Sequence, residues 1–310
     1  MQLEEVLSHN PFTEAVVAQW KQDLDEFNRG NKPRSELNFI LDGDMDWASA
    51  VNRKGEKYKV YKELPPVPFL GSPTAPVWLI LMNPGYSSID LYDNLGLCPG
   101  CEKTMIWSQK CHGPTCGESD TDWIVHKLNP LHELNERQRI LLRQLRLEQD
   151  SSFAFLESVF DVLGDSKLYR GKGGYRWWYG HLFGKEGRLL QSCARDAQSA
   201  GAKLFVLETF PYHSEHFIDE FYSRDYLSSS AYCDFWKTLI QWGCENNKKF
   251  ILRPDGRNFS RIISETGGLL NSANGVHFKN VQRVWLTFAN LCGEANVITS
   301  IKSALGGAKL

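Results

Sequence analysis

The chain contains no apolar run approaching the ~18 residues that a membrane-spanning helix requires, so no membrane partner is expected. Its N-terminus, MQLEEVLSHNPF, has two acids and no apolar core. No secretory signal is therefore expected, and a cytoplasmic location is the natural reading. Net charge is also scarce, at −2 over 310 residues. The broad basic surface of many nucleic-acid binders is absent, so any such binding must use a local basic groove. Neither an internal repeat nor a low-complexity tract is present.

What is there reads as globular. A chain of 310 residues suits one core of roughly 200–240 residues with appended segments. Aromatics make up 12%, including 10 Trp, which serves either core packing or exposed stacking surfaces. Residues 13–28 predict an amphipathic helix, with Val16, Val17, Trp20, Leu24 and Phe27 on one stripe, Thr13 as cap and Gly30 as stop. Residues 32–76 are polar and rich in Pro, and predict an extended arm over the core. The run Val77-Trp78-Leu79-Ile80-Leu81-Met82 lies between Pro76 and Pro84 and predicts a central strand covered on both faces. Similar runs follow at 204–207, 250–252 and 284–286, separated by helical patterns at 187–200, 232–244 and 258–270.

This alternation predicts an α/β fold of three layers, αβα, around a central, mostly parallel four-stranded sheet. Residues 1–76 form the N-terminal helix and arm packed on the core. Residues 77–310 form the α/β domain, with a Cys-rich loop insertion at 96–118.

Ligands of such sheets bind beyond the carboxyl ends of the strands. The first strand ends in Asn83-Pro84-Gly85-Tyr86. Pro fixes φ, Gly permits positive φ and close approach, and Asn83 can aim its amide into a cleft. The second strand ends in Glu208, followed by Phe210-Pro211-Tyr212-His213-Ser214. Glu208 can take a proton or bind an amino group, and His213 titrates near neutral pH. Alternatively, Glu208 pairs with Arg253 across neighbouring strands. Arg253 follows the third strand and suits an anion; Thr287 and Asn290 follow the fourth.

Two further segments carry chemistry. YRGKGGYRWWYGHLFG, residues 169–184, interleaves Arg170, Lys172 and Arg176 with Trp177 and other aromatics. That combination suits a nucleic-acid backbone with stacked bases, or else the tryptophans are core. Cys98-Pro99-Gly100-Cys101 is a C-x2-C knuckle, with Cys111 and Cys116 shortly after. Cysteines in a reducing compartment are read as metal ligands or as buried thiols rather than disulfides. Cys98, Cys101, Cys111 and Cys116 together make a tetrahedral thiolate set for a closed, structural Zn2+ site.

With these motifs assembled, residues 77–292 resemble the uracil-DNA glycosylase superfamily. Leu81-Met82-Asn83-Pro84-Gly85 is similar to the first motif of its mismatch-specific branch, where the Asn positions the attacking water. Leu286-Thr287-Phe288-Ala289-Asn290-Leu291 stands where that family has its last motif, here without the usual Pro-Ser pair. Glu208 stands where the best-known uracil enzymes have a base-reading Asn. A carboxylate there would repel uracil O4 and accept from an amino-bearing base. The resemblance implies a hydrolase acting on, or a protein binding, a nucleobase in DNA or a nucleotide. Asn83, Glu208 and His213 would be catalytic, and Gly85, Tyr86, Arg253, Thr287 and Asn290 would line the site. Arg170, Lys172, Arg176 and Trp177 would grip the strand. Two other readings stay open: a catalytically silent binding or regulatory module of the same fold, and a small-molecule hydrolase or transferase using His213 and Glu208. No organic cofactor is expected.

The cysteine loop generates a direct test. Metal analysis of the purified protein should find about one zinc per chain, lost in a Cys98→Ser/Cys101→Ser double variant. Wild-type protein that is metal-free as purified would reject the site.

Overall fold

A computed structural model describes residues 1–55, 58–85, 136–147, 203–214, 216, 224–253, 256–271, 274–278 and 286–306. Among them the helices are α1 (Leu3–Ser8), α2 (Glu14–Asn28), α3 (Met45–Asn52), α4 (Glu136–Leu145), α5 (Arg224–Ser229), α6 (Ala231–Glu245), α7 (Gly256–Glu265) and α8 (Ala295–Ala304). The strands are β1 (Phe69–Leu70), β2 (Val77–Leu81), β3 (Leu204–Glu208), β4 (Lys249–Leu252), β5 (Gly275–Phe278) and β6 (Leu291–Cys292). No helix among the described residues is long and apolar enough to cross a membrane.

The chain is α/β, and the described residues form a mixed sheet of six strands in the order β1-β3-β2-β4-β5-β6. This corrects the four strands expected. The inner four, β3-β2-β4-β5, are parallel, and the short outer strands β1 and β6 run antiparallel to their neighbours. Both outer strands are two residues long, below what periodicity can register. The fourth parallel strand is also displaced from its expected place. It is Gly275-Val276-His277-Phe278, whose exposed His277 interrupts the apolar run that marks a fully covered strand. Of the expected strand at 284–286, Leu286 lies in a bend, and the other two residues fall outside the described set. The helix expected at 187–200 lies outside it as well.

β2 occupies the middle for the reason its composition suggests. Val77, Trp78, Leu79, Ile80 and Leu81 are all buried, so neither face meets water. Side chains alternate between the faces. Trp78 and Ile80 share one face with Phe205 and Leu207 of β3 and with Phe250 and Leu252 of β4, and all six belong to one apolar cluster. α6 lays Phe235, Trp236, Leu239 and Ile240 on this face. It approaches closely because Gly243 has no side chain: a Cβ there would lie 3.0 Å from Phe250 and 3.2 Å from Trp78. On the opposite face Leu79, Val206 and Ile251 are buried too, and α8 packs against β4 and β5.

The N-terminal residues join the same cluster. Thr13 caps α2, its hydroxyl accepting from the Val16 N–H at 3.3 Å, and Gly30 stops the helix with φ 78°. Phe12 sits between the arm and the core, with its ring 6.3 Å from Phe69 and 5.7 Å from Tyr232. The rings continue through Phe205, 6.1 Å from Phe69, to Trp78, 4.7 Å from Phe205. Much of the aromatic content is therefore core packing. Pro68 precedes β1, which is possible because β1 is an edge strand and does not need every N–H.

Phe12→Ala should lower stability by about 3–5 kcal/mol in chemical denaturation, the cost of a large buried cavity. A loss below about 0.5 kcal/mol, typical of surface changes, would show that the arm does not share the core.

Candidate functional site

Among the inner four strands the chain leaves β2 toward β3 on one side and later returns to β4 on the other. The carboxyl end of β2 is thus the point where the winding reverses, the usual ligand crevice of a doubly wound sheet. Asn83, Pro84 and Gly85 occupy that point.

Pairing between β2 and β3 does not stop at the last ladder residues, Leu81 and Glu208. The Leu81 carbonyl accepts from both the N–H and the hydroxyl of Thr209, each at 3.0 Å. The Met82 carbonyl accepts from the Phe210 N–H at 2.8 Å. Beyond them, Asn83 Nδ2 donates to Ser214 Oγ at 3.0 Å and to the Ser214 carbonyl at 3.5 Å. His213 Nδ1 lies 2.7 Å from the Gly85 carbonyl. A carbonyl can only accept, so Nδ1 carries a proton and donates it. By the same logic the Asn83 nitrogen faces Ser214, and its oxygen Oδ1 is turned away. Gly85 has φ 70°, where a side chain is strained, yet a Cβ there would meet none of the described residues within 4 Å. The turn is thus clamped at both ends, and no described residue crowds Gly85.

The segment that clamps the turn is itself held from behind by the arm. The Tyr61 N–H donates to the His213 carbonyl at 3.0 Å and the Val67 N–H to the Pro211 carbonyl at 2.9 Å. The buried Tyr212 hydroxyl donates to Asp44 Oδ2 at 2.6 Å and accepts from the Leu41 N–H at 3.2 Å. Burial raises the Asp44 carboxyl above its ordinary value, and hydrogen bonds from Tyr212 and Ser230 oppose that shift. Nearby, burial pushes the Cys233 thiol up to about 12, so it is an inert core group rather than a nucleophile.

Glu208 is the outlier. It is 3% exposed. Its N–H donates to the Pro68 carbonyl at 2.9 Å, and its own carbonyl accepts from the Tyr232 hydroxyl. Its backbone is therefore satisfied, whereas its side-chain oxygen Oε2 is buried with no hydrogen-bond partner among the described residues. Such an atom costs roughly 1–3 kcal/mol. Burial pushes this carboxyl well above its ordinary 4.5, and the positive charge of Arg253 offsets only part of the shift. The pairing expected between Glu208 and Arg253 is corrected in one respect: their strands are not neighbours, because β2 lies between them. Arg253 donates its N–H to the Ile80 carbonyl at 3.0 Å, which sets it level with Leu81. By alternation Glu208, Leu81 and Arg253 form one row on the face opposite Trp78, with the two charged residues' backbones roughly 10 Å apart at two strand spacings.

Thr287 and Asn290 reach the same edge by another route. They precede β6, which is antiparallel and starts beside Phe278 at the carboxyl end of β5. They stand three strands from β2, roughly 14 Å away, and are outlying members of the site. Tyr86, Arg170, Lys172, Arg176 and Trp177 lie outside the described residues, as do Cys98, Cys101, Cys111 and Cys116. No group of three or more metal-ligating side chains occurs among the described residues. Ser214, Asp44 and Tyr232, which hold the site in place, were not singled out by sequence. Ser214 was within reach of such reasoning, since it lies in the post-strand segment, whereas Asp44 is distant in sequence and had no local signal.

No protein-family model, curated protein or solved structure matches the chain.

Gly85→Ala should cost about 1–2 kcal/mol in denaturation, the penalty of a left-handed backbone for a residue with Cβ. An unchanged or raised stability in Gly85→Ala would contradict the positive φ assigned to Gly85.

Proposed function

We propose that the chain binds a nucleobase, in DNA or as a nucleotide, at the carboxyl ends of β2 and β3, and hydrolyses its N-glycosidic bond in the manner of uracil-DNA glycosylases. The supporting observation is that an oriented amide, Asn83, and a buried carboxyl with one oxygen unpartnered among the described residues, Glu208, stand at the reversal point of the sheet. With its nitrogen held by Ser214, Asn83 Oδ1 is the end left to accept a hydrogen bond from a water. That water's oxygen bonds to C1′ of the sugar as the C1′–N bond breaks. The bonding pair goes to the base nitrogen, which leaves with a proton, and the water's second hydrogen stays on the new sugar hydroxyl. Glu208 contacts the base edge, and His213 keeps the turn in place through Gly85.

Tyr86 stacks on the extruded base in this reading, and Arg170, Lys172, Arg176 and Trp177 hold the strand. Extrusion costs a few kcal/mol, and stacking worth ~1–3 kcal/mol per base offsets it.

A second reading has its own support. Asn83 and His213 are both engaged within the fold, so the clamp is equally suited to a binding module without chemistry.

Labelled oligonucleotides carrying uracil, hypoxanthine or a mismatch distinguish the two. Wild-type protein should yield alkali-labile abasic sites, and Asn83→Ala, checked for folding, should slow this about 10²–10³-fold. Retention of the oligonucleotide at low salt without cleavage selects the binding module. Neither cleavage nor retention rejects both.

A further inference from the structure

Ser214 ends the segment that clamps the turn, and it is 0% exposed. Its hydroxyl donates to the His216 carbonyl at 3.2 Å and accepts from Asn83 Nδ2 at 3.0 Å. A hydroxyl has one proton and a carbonyl can only accept, so that proton is committed to His216. What Ser214 presents to Asn83 is therefore a lone pair. The Ser214 carbonyl, 3.5 Å from the same nitrogen, presents a second acceptor. The two ends of an Asn amide have nearly the same shape, so shape does not choose between them. Here the partners choose, because a turned amide would set Oδ1 against both acceptors.

We propose that Ser214 is a positioning residue that acts through Asn83. The His216 carbonyl aims the serine hydroxyl, the hydroxyl aims the amide, and the far end of Asn83 is thereby fixed as an acceptor. The catalytic consequence rests on the glycosylase reading above and deepens it, whereas the orientation does not depend on it. An acceptor at that place takes a hydrogen of the attacking water and leaves an oxygen lone pair free for C1′. A turned amide would donate to the water instead, and would occupy the lone pair that must form the new bond. One buried hydroxyl thus sets whether Asn83 prepares its water for attack or ties it up.

The relay runs one way. Asn83 donates to Ser214, and Ser214 donates to a backbone carbonyl. Hydrogen bonds in such a series polarise one another, which strengthens the hold on the amide. The neighbouring His213 has a separate task at the Gly85 carbonyl. His213 therefore fixes the backbone of the turn, and Ser214 fixes its side chain. Removing the hydroxyl leaves only the Ser214 carbonyl, and 3.5 Å is at the limit of a hydrogen bond. Ser214→Ala should release the amide while the turn stays in place, which lowers kcat about tenfold and keeps KM within about threefold.

The hold itself is read by NMR of the side-chain amide, assigned as the NH2 pair that Asn83→Ala lacks. Wild type should show two well-separated, slowly exchanging protons, and in Ser214→Ala they should exchange about tenfold faster or more. This readout needs no substrate. On the oligonucleotides above, Ser214→Ala should cost less than about a factor of two once Asn83 is already Ala, because nothing is left for Ser214 to orient. Should Ser214→Ala fail to fold, Ser214→Cys, which fills the buried site with a weak acceptor, is read in the same way. An amide that exchanges equally fast in wild type and in the Ser214 variant overturns the proposal and leaves the glycosylase reading standing. So does an equal loss of rate in the wild-type and Asn83→Ala backgrounds, the mark of a merely structural role. A protected amide in a wild type that cleaves none of the oligonucleotides overturns the glycosylase reading, and with it the catalytic role of Ser214, and retains only the orientation.

Discussion

β2 is flanked by strands on both sides and covered on both faces, so the chain that leaves it emerges from a dry interior. Backbone groups in that position must be satisfied locally. The segment after β3 does this, by accompanying the end of β2 for several residues beyond the ladder. The Leu81 and Met82 carbonyls take Thr209 and Phe210, and then the partners change from backbone to side chains at Asn83 and His213. That change converts a sheet ladder into a shaped turn. The Asn83-Pro84-Gly85 turn is positioned by it.

The clamp transfers the requirement outward. Residues 210–214 hold the turn because the arm holds them, through Tyr61, Val67 and the buried contact between Tyr212 and Asp44. Asp44 is a costly residue to bury, and two hydroxyls share in offsetting that cost. The arm's own position is secured apolarly, by Phe12 and the rings of Phe69, Phe205 and Trp78 behind it. A site at the middle of the sheet thus depends on a segment that starts near the N-terminus. At the same end of the sheet lies the buried Glu208, whose Oε2 has no hydrogen-bond partner among the described residues.

The parts of this arrangement that were legible in sequence have short-range causes. The central strand was visible in Val77 to Met82 because a strand covered on both faces must be apolar at every position. α2 was visible because its stripe, its Thr13 cap and its Gly30 stop all lie within one helix length. The Asn83-Pro84-Gly85 turn was visible because a positive φ needs glycine, and Gly85 adopts one. β5 was not visible, since a strand near the edge of the sheet tolerates Gly275 and an exposed His277. β1 and β6 are too short to have a period.

By itself, then, the sequence determined which residues end β2, β3 and β4, because apolar runs and turn residues are local signals of burial and backbone angle. Strand order, the partners of Asn83 and His213, and the solvation of Glu208 were decided only by tertiary structure. Glu208 shows the difference most clearly. As a letter in the chain it is a carboxylate that repels a carbonyl edge. Enclosed opposite Leu81, with Arg253 two strands away, it carries a raised pKa because burial removes the water that stabilises its charge.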